Sequence, residues 1–165
     1  MSLDHVVILV ADAERSLAFY RDALGLGTIV DREFDGPWPE MFDGVATSRL
    51  RAMILGDPDH PERGNVELLT FAEPVDRGPG ALPIRTGTVM LSFMVDLSEV
   101  LPKLEAAGAV DVRRATLKNG IDVATLRDPD GTLVELLNVR SRSARQGTSR
   151  SARQETSRSA RQETE

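Results

Sequence analysis

One short phrase occurs twice in this chain: Val66-Glu67-Leu68-Leu69 returns as Val134-Glu135-Leu136-Leu137. An apolar run stands upstream of each copy, His5-Val6-Val7-Ile8-Leu9-Val10 before the first and Met90-Leu91-Ser92-Phe93-Met94-Val95 before the second. Both runs read as strands, and each is followed by a helix signal and further strands before its Val-Glu-Leu-Leu. The repeat therefore predicts an α+β domain built as two tandem units. A polar residue facing inward on the first strand and another on the last strand of each unit places four positions around one cavity. Those positions are His5, Glu67, Met90 and Glu135.

The local signals agree with a unit of strand, helix and three strands. Residues 3–10 form a buried strand in which Leu3, His5, Val7 and Leu9 share one face, because side chains alternate along a strand. Asp12 caps a helix over 13–24, and Gly25 stops it. Strands are expected at 27–34, 48–55 and 65–71, with a short helical turn through Met41 after the loop Asp35-Gly36-Pro37-Trp38-Pro39. A Pro- and Gly-rich linker, 73–87, separates the units at 1–72 and 88–140. The second unit reads as a strand at 88–95, a helix capped by Ser98 and ending near Ala107, and strands at 111–117, 121–127 and 132–138. Pro102 is expected in the first turn of that helix, where a missing N–H is tolerated. Asp128-Pro129-Asp130-Gly131 is a strong turn between the last two strands.

Residues 141–165 are a different object, three near-copies of Ser-Arg-Ser-Ala-Arg-Gln-Gly/Glu-Thr. With Ala as the only apolar residue, the repeat offers too little burial to offset its ordering entropy, so a mobile tail is expected. It holds six Arg and three Glu, a local +3, which leaves −9 on residues 1–140 within the total of −6. An acidic body argues against nucleic acid as a partner. There is no run of 18 apolar residues and no basic leader, so neither a membrane span nor a signal peptide is expected. The chain has no cysteine, which excludes disulfides, thiolate metal sites and cysteine nucleophiles and suits a cytoplasmic protein.

Three segments carry a family likeness. They are Leu3-Asp4-His5-Val6-Val7-Ile8-Leu9-Val10-Ala11-Asp12, then Ser16-Leu17-Ala18-Phe19-Tyr20-Arg21-Asp22-Ala23-Leu24-Gly25-Leu26, and Arg127-Asp128-Pro129-Asp130-Gly131-Thr132-Leu133-Val134-Glu135-Leu136. Over residues 3–138 the chain resembles the vicinal oxygen chelate superfamily, which contains glyoxalase I, extradiol dioxygenases, methylmalonyl-CoA epimerase and bleomycin resistance proteins. The resemblance implies two βαβββ modules whose curled mixed sheets surround a shared cavity. It also implies metal ligands on the first and last strands of each module, which here are His5, Glu67, Met90 and Glu135. Relatives have His at the third position, and this chain has Met.

His5, Glu67 and Glu135 can form a facial triad for a divalent ion, with Mn, Fe, Ni, Zn and Mg all suited to one nitrogen and several oxygens. Met90 is a soft, weak donor and does not replace imidazole for a hard ion. Either the metal keeps three ligands, or it has been lost and Met90 lines the cavity. Met90, Ser92, Arg49, Arg51 and Trp38 are the candidate substrate contacts, Arg49 and Arg51 because they share one face of a strand. Trp38, Met41 and Phe42 read either as an apolar lid or as a satellite core, and His60 as a surface residue. The resemblance then gives two functions. One is a metal-dependent enzyme for a small oxygenated metabolite, an isomerase, lyase or dioxygenase with Glu135 or Glu67 moving the proton. The other is a metal-free protein that binds or sequesters a small molecule. Sheet edges and apolar surface left open by such modules lead to the expectation of a homodimer.

Overall fold

The computed structural model describes residues 3–62, 64–73 and 83–139. Most of the linker and the Arg-rich repeat lie outside the described residues, and the expectation of a mobile tail falls there. Two four-stranded mixed sheets of identical topology make up the fold. Strands β1 (His5–Leu9), β2 (Gly27–Asp35), β3 (Arg49–Gly56) and β4 (Asn65–Phe71) form the first, in the order β1-β4-β3-β2. The second contains β5 (Met90–Val95), β6 (Val110–Thr116), β7 (Asp122–Arg127) and β8 (Leu133–Asn138), in the order β5-β8-β7-β6. In each sheet the first and last strands pair in parallel, and the remaining pairs are antiparallel.

Helix α1 (Ala13–Leu17) opens at Asp12, whose side chain accepts from the Arg15 backbone N–H, and continues as a π-helical turn over Ala18–Ala23. A regular helix was expected over this whole segment. The wider turn accommodates two adjacent aromatic residues, Phe19 and Tyr20, which are both fully buried. Helix α3 (Leu97–Ala106) has a different cap from the one expected. Asp96 holds the first turn by accepting from the Ser98 backbone N–H and hydroxyl at 3.1 and 2.6 Å. The earlier start moves Pro102 out of the first turn and into the helix interior. Gly25 and Gly108 follow the two helical segments with φ of 93° and 97°, a left-handed closure that favours glycine.

The helix-facing sides of both sheets share one core. It joins Ile8, Val66, Leu68 and Met53 of the first module to Leu91, Ala124, Leu126, Val134 and Leu136 of the second, with Leu17, Phe19, Tyr20, Leu101 and Leu104 from the helices. The β7–β8 turn fastens the modules together. Tyr20 Oη donates to Asp128 at 2.9 Å, and Arg15 pairs with Asp130 at 2.7 Å. Burial pushes the Asp128 carboxyl above its ordinary range, and it pushes the Tyr20 hydroxyl up as well. No helix among the described residues is long and apolar enough to cross a membrane.

Candidate active site

The face of each sheet opposite the helices carries the residues that the repeat singled out. Strand pairing fixes their positions. Val7 lies across from Glu67 on β1 and β4, and Ser92 lies across from Glu135 on β5 and β8. His5 precedes Val7 by two residues, as Met90 precedes Ser92, so all four strand positions share the open faces. Met90 therefore stands in module two where His5 stands in module one.

On the first sheet the imidazole and carboxylate meet. His5 Nε2 lies 2.9 Å from Glu67 Oε2, and His5 Nδ1 lies 2.7 Å from Asp4 Oδ2. Both ring nitrogens thus face carboxylate oxygens. The His5 and Glu67 side chains are 29% and 14% exposed, shielded yet reachable by a small molecule. Asp4 is 90% exposed, so its contact orients the ring only weakly. A cavity of about 110 Å³ opens beside His5, lined by Asp4 and Asn65 and, from the second module, by Ser92 and Phe93. The two modules thus meet at this point.

The second sheet resolves its glutamate differently. Ser92 Oγ donates to Glu135 Oε2 at 2.7 Å, and Met90 is left 43% exposed on the same face. Among the described residues no three His, Cys, Asp or Glu side chains gather as a metal site, so Glu135 does not join His5 and Glu67 within one chain. The expected triad is thus not gathered within one chain among the described residues. The hydroxyl directly across the parallel strand pair is the partner that Glu135 takes, and the sheets do not bring its carboxylate to the imidazole. Divalent metals are common in the family that this fold defines, but the donors in one chain do not fit one. His5 and Glu67 offer two ligands, Asp4 sits on the far ring nitrogen, and the thioether of Met90 is a poor donor for a hard ion.

Two other expected contacts move away from the site. Arg51 pairs across the strands with Thr70, and Met53 with Leu68, which places Arg49, Arg51 and Met53 on the helix-facing side. There Arg51 binds Asp31 and Glu14, and Arg49 binds Glu33. The first of these acids, through its hydrogen bonds, holds Arg51 well above its ordinary range, while Arg51 holds Asp31 below the usual carboxylate range. These arginines brace the sheet and do not line the cavity. Trp38, in the short helix α2 (Trp38–Met41), does lie on the open face. With Phe34 it packs on Val45, Leu50, Ala52, Leu69 and Phe71, a second cluster rather than a free-standing lid. Its indole Nε1 is buried with no acceptor. His60 sits in the loop near Glu62, half-exposed, as expected.

Sequence reasoning missed Arg32. Its pairing with Ala52 puts it on the open face, and its guanidinium lies 4.3 Å above the Phe34 ring. The signal was the alternation Arg32-Glu33-Phe34, which says that Arg32 and Phe34 share a face but not which one.

Two βαβββ modules with an imidazole–carboxylate pair on the open face define a glyoxalase-type protein. The profile of the Glyoxalase/Bleomycin resistance protein/Dioxygenase superfamily matches residues 2–136, and the chain belongs to that superfamily. Among curated proteins it is 31% identical over 151 residues to the lactoylglutathione lyase-like protein terB of Aspergillus terreus, covering 83% of this chain and 75% of that one. Among solved structures it resembles a glyoxalase family protein from Bacillus cereus, with a TM-score of 0.67 at 20% identity, covering 82% of this chain and 92% of the other. It also resembles the trypanothione-dependent glyoxalase I of Leishmania major, with a TM-score of 0.58 at 20% identity over 95% and 99% of the two chains. At these identities the structural matches speak for the fold alone.

Proposed function

We propose that this protein is an enzyme that moves a proton on a small oxygenated metabolite, as a lyase or an isomerase, with His5 and Glu67 as the transferring pair. The observation that carries this reading is the 2.9 Å contact between His5 Nε2 and Glu67 Oε2 on a ligand-accessible sheet face. An acid and a base held at that separation can act on neighbouring atoms of one substrate. Glu67 takes the hydrogen from the carbon beside a carbonyl, and the electron pair moves to the carbonyl oxygen. His5 gives that oxygen its Nε2 hydrogen, so the enolate charge is neutralised as it forms. Where the carbon that lost its hydrogen bears a hydroxyl, that hydroxyl gives its proton to His5 while Glu67 returns its proton to the former carbonyl carbon, which completes an isomerisation. Where the next carbon bears a leaving group, the enol gives its proton back to His5, the carbonyl re-forms and the group departs with its electron pair, which completes a lyase reaction. No step is assigned to a metal. In this reading Glu135, which accepts a hydrogen bond from Ser92, is not the base.

The exposed apolar side chains of β1 and β5, Val7, Leu9 and Met94, support a homodimer that covers them. The lactoylglutathione lyase-like relative in Aspergillus terreus suggests the first substrate to offer, lactoylglutathione, followed by simple hydroxyketones. Turnover followed by NMR, on chelator-stripped protein and again with added Mn, Ni or Zn, tests the reading. Replacing His5 or Glu67 by Gln should each lower kcat by about a hundred-fold or more. Unchanged turnover in both variants would reject the pair. Activity that returns only with a metal would show that an ion, rather than His5, neutralises the enolate.

A further inference from the structure

The proton-transfer pair occupies one end of an open sheet face, and the other end of the same face carries a charge with no counterpart. Ala52 pairs with Leu69, two residues beyond Glu67, and Arg32 pairs with Ala52, so Arg32 and Glu67 point to the same side. The guanidinium rests 4.3 Å from the centroid of the Phe34 ring, and Phe34 packs with Trp38 on the apolar cluster of that face. Other arginines of this module are engaged with carboxylates: Arg15 with Asp130, Arg21 with Asp22, Arg49 with Glu33, and Arg51 with Asp31 and Glu14. Among the described residues Arg32 alone of these five makes no ion pair or hydrogen bond.

Stacking on an aromatic ring orients a guanidinium without consuming its donors, so its fork stays available for a planar anion. Arg32 lies two strands across and two residues along from Glu67, roughly 12 Å between Cα positions, which the two side chains shorten to the length of a small metabolite. The surface between them is apolar, made by Ala52, Ile54 and Leu69, and the Phe34–Trp38 pair flanks it one row further along the strands.

We propose that the ligand of this site is a carboxylate: a small carbonyl compound whose carboxylate is bound by Arg32, whose apolar spacer lies on Ala52, Ile54 and Leu69, and whose carbonyl end reaches His5 and Glu67. The proposal rests on the proton-transfer reading for the position of the carbonyl and on Arg32 for the anion. Trp38 is the single tryptophan of the chain and packs on the cluster that includes Ala52 and Leu69, so its fluorescence reports on a ligand lying there. The probe is 6-oxoheptanoate, a methyl ketone joined to a carboxylate through an apolar spacer, compared with its methyl ester. The acid should cause a saturable change in Trp38 emission. Affinity should fall about ten-fold in Arg32→Gln, and the ester should bind the native protein as weakly as the acid binds that variant. Arg49→Gln, which alters the opposite sheet face, should bind like the native protein. Circular dichroism checks that the variants are folded. No saturable change with the acid, equal binding of acid and ester, or unaltered binding by Arg32→Gln would overturn the proposal. If the acid binds through Arg32 but no carbon-bound hydrogen exchanges, the anion site stands and the proton-transfer reading falls. If acid and ester exchange equally well, the anion site falls and the proton-transfer reading stands.

Discussion

The two modules place a glutamate at the same position and give it different partners. Glu67 meets the imidazole of His5, which lies one strand over and two residues back, whereas Glu135 meets the hydroxyl of Ser92 directly opposite. Two changes on β5 relative to β1 account for this: Met90 stands for His5, and Ser92 stands for Val7. A carboxylate on a half-buried strand needs a polar partner in either case. The imidazole is a partner that can also serve as a general acid or base, while a serine hydroxyl only satisfies the carboxylate. The two modules thus hold a glutamate at equivalent positions, and the residues beside each decide whether its partner is an imidazole or a hydroxyl.

The same comparison holds at the turns. Asp57-Pro58-Asp59 and Asp128-Pro129-Asp130 make the same local bond, the first Asp accepting from the backbone N–H of the third residue at 3.0 Å. Asp57 is exposed, whereas Asp128 is 1% exposed and also accepts from Tyr20 Oη and the Thr132 backbone N–H. The largest expected effect therefore falls on Asp128. Asp128→Ala strands three donors and should cost about 2–4 kcal/mol in urea unfolding, while Asp57→Ala should stay within about 0.5 kcal/mol. Equal losses would mean that the turns are energetically alike and that the modules are not latched through Tyr20.

Desolvation raises the Asp128 carboxyl in the folded chain above its unfolded value. The folded state then holds this proton more tightly than the unfolded state. Stability from this group is full below the ordinary carboxylate value and declines as pH rises through the raised one. Asp128→Asn carries no charge at any pH, so it should remove that decline and cost less than Asp128→Ala. Urea midpoints measured from acid to neutral pH test both points.

A smaller effect is expected from making the second module resemble the first. Met90→His puts an imidazole at the position equivalent to His5, beside a glutamate equivalent to Glu67. Divalent-metal affinity of chelator-stripped protein should rise by about ten-fold, read by titration with Mn, Ni and Zn. No gain would show that the position 90 side chain does not face Glu135.

Much of this architecture was readable before the fold was known, because the repeat, the helix stops and the Asp-Pro-Asp-Gly turn are local signals. Strand bounds fell within a residue or two, and the place of His5 beside Glu67 followed from the duplication. The Asp96 cap was obscured because Ser98, two residues on, is also a capping residue, and the hydroxyl in fact serves Asp96. Arg49 and Arg51 were misplaced because both faces of β3 are apolar: Leu50, Ala52 and Ile54 alternate with Met53 and Leu55, so alternation alone does not say which side the helices cover. The register with Leu68 decides it. Glu135 was assigned to the triad because its distance from His5 depends on how two sheets are set against each other, which no local pattern encodes.

The central claim is that the His5–Glu67 pair, and not the module-two pair, performs proton transfer. The measurement is deuterium uptake from D2O into the carbon positions beside the carbonyl of 6-oxoheptanoate, followed by proton NMR. Native protein and Ser92→Ala should exchange at similar rates, well above buffer, and His5→Gln should fall to the buffer rate. Exchange that survives in His5→Gln and disappears in Ser92→Ala would place the chemistry at Glu135 and contradict the account.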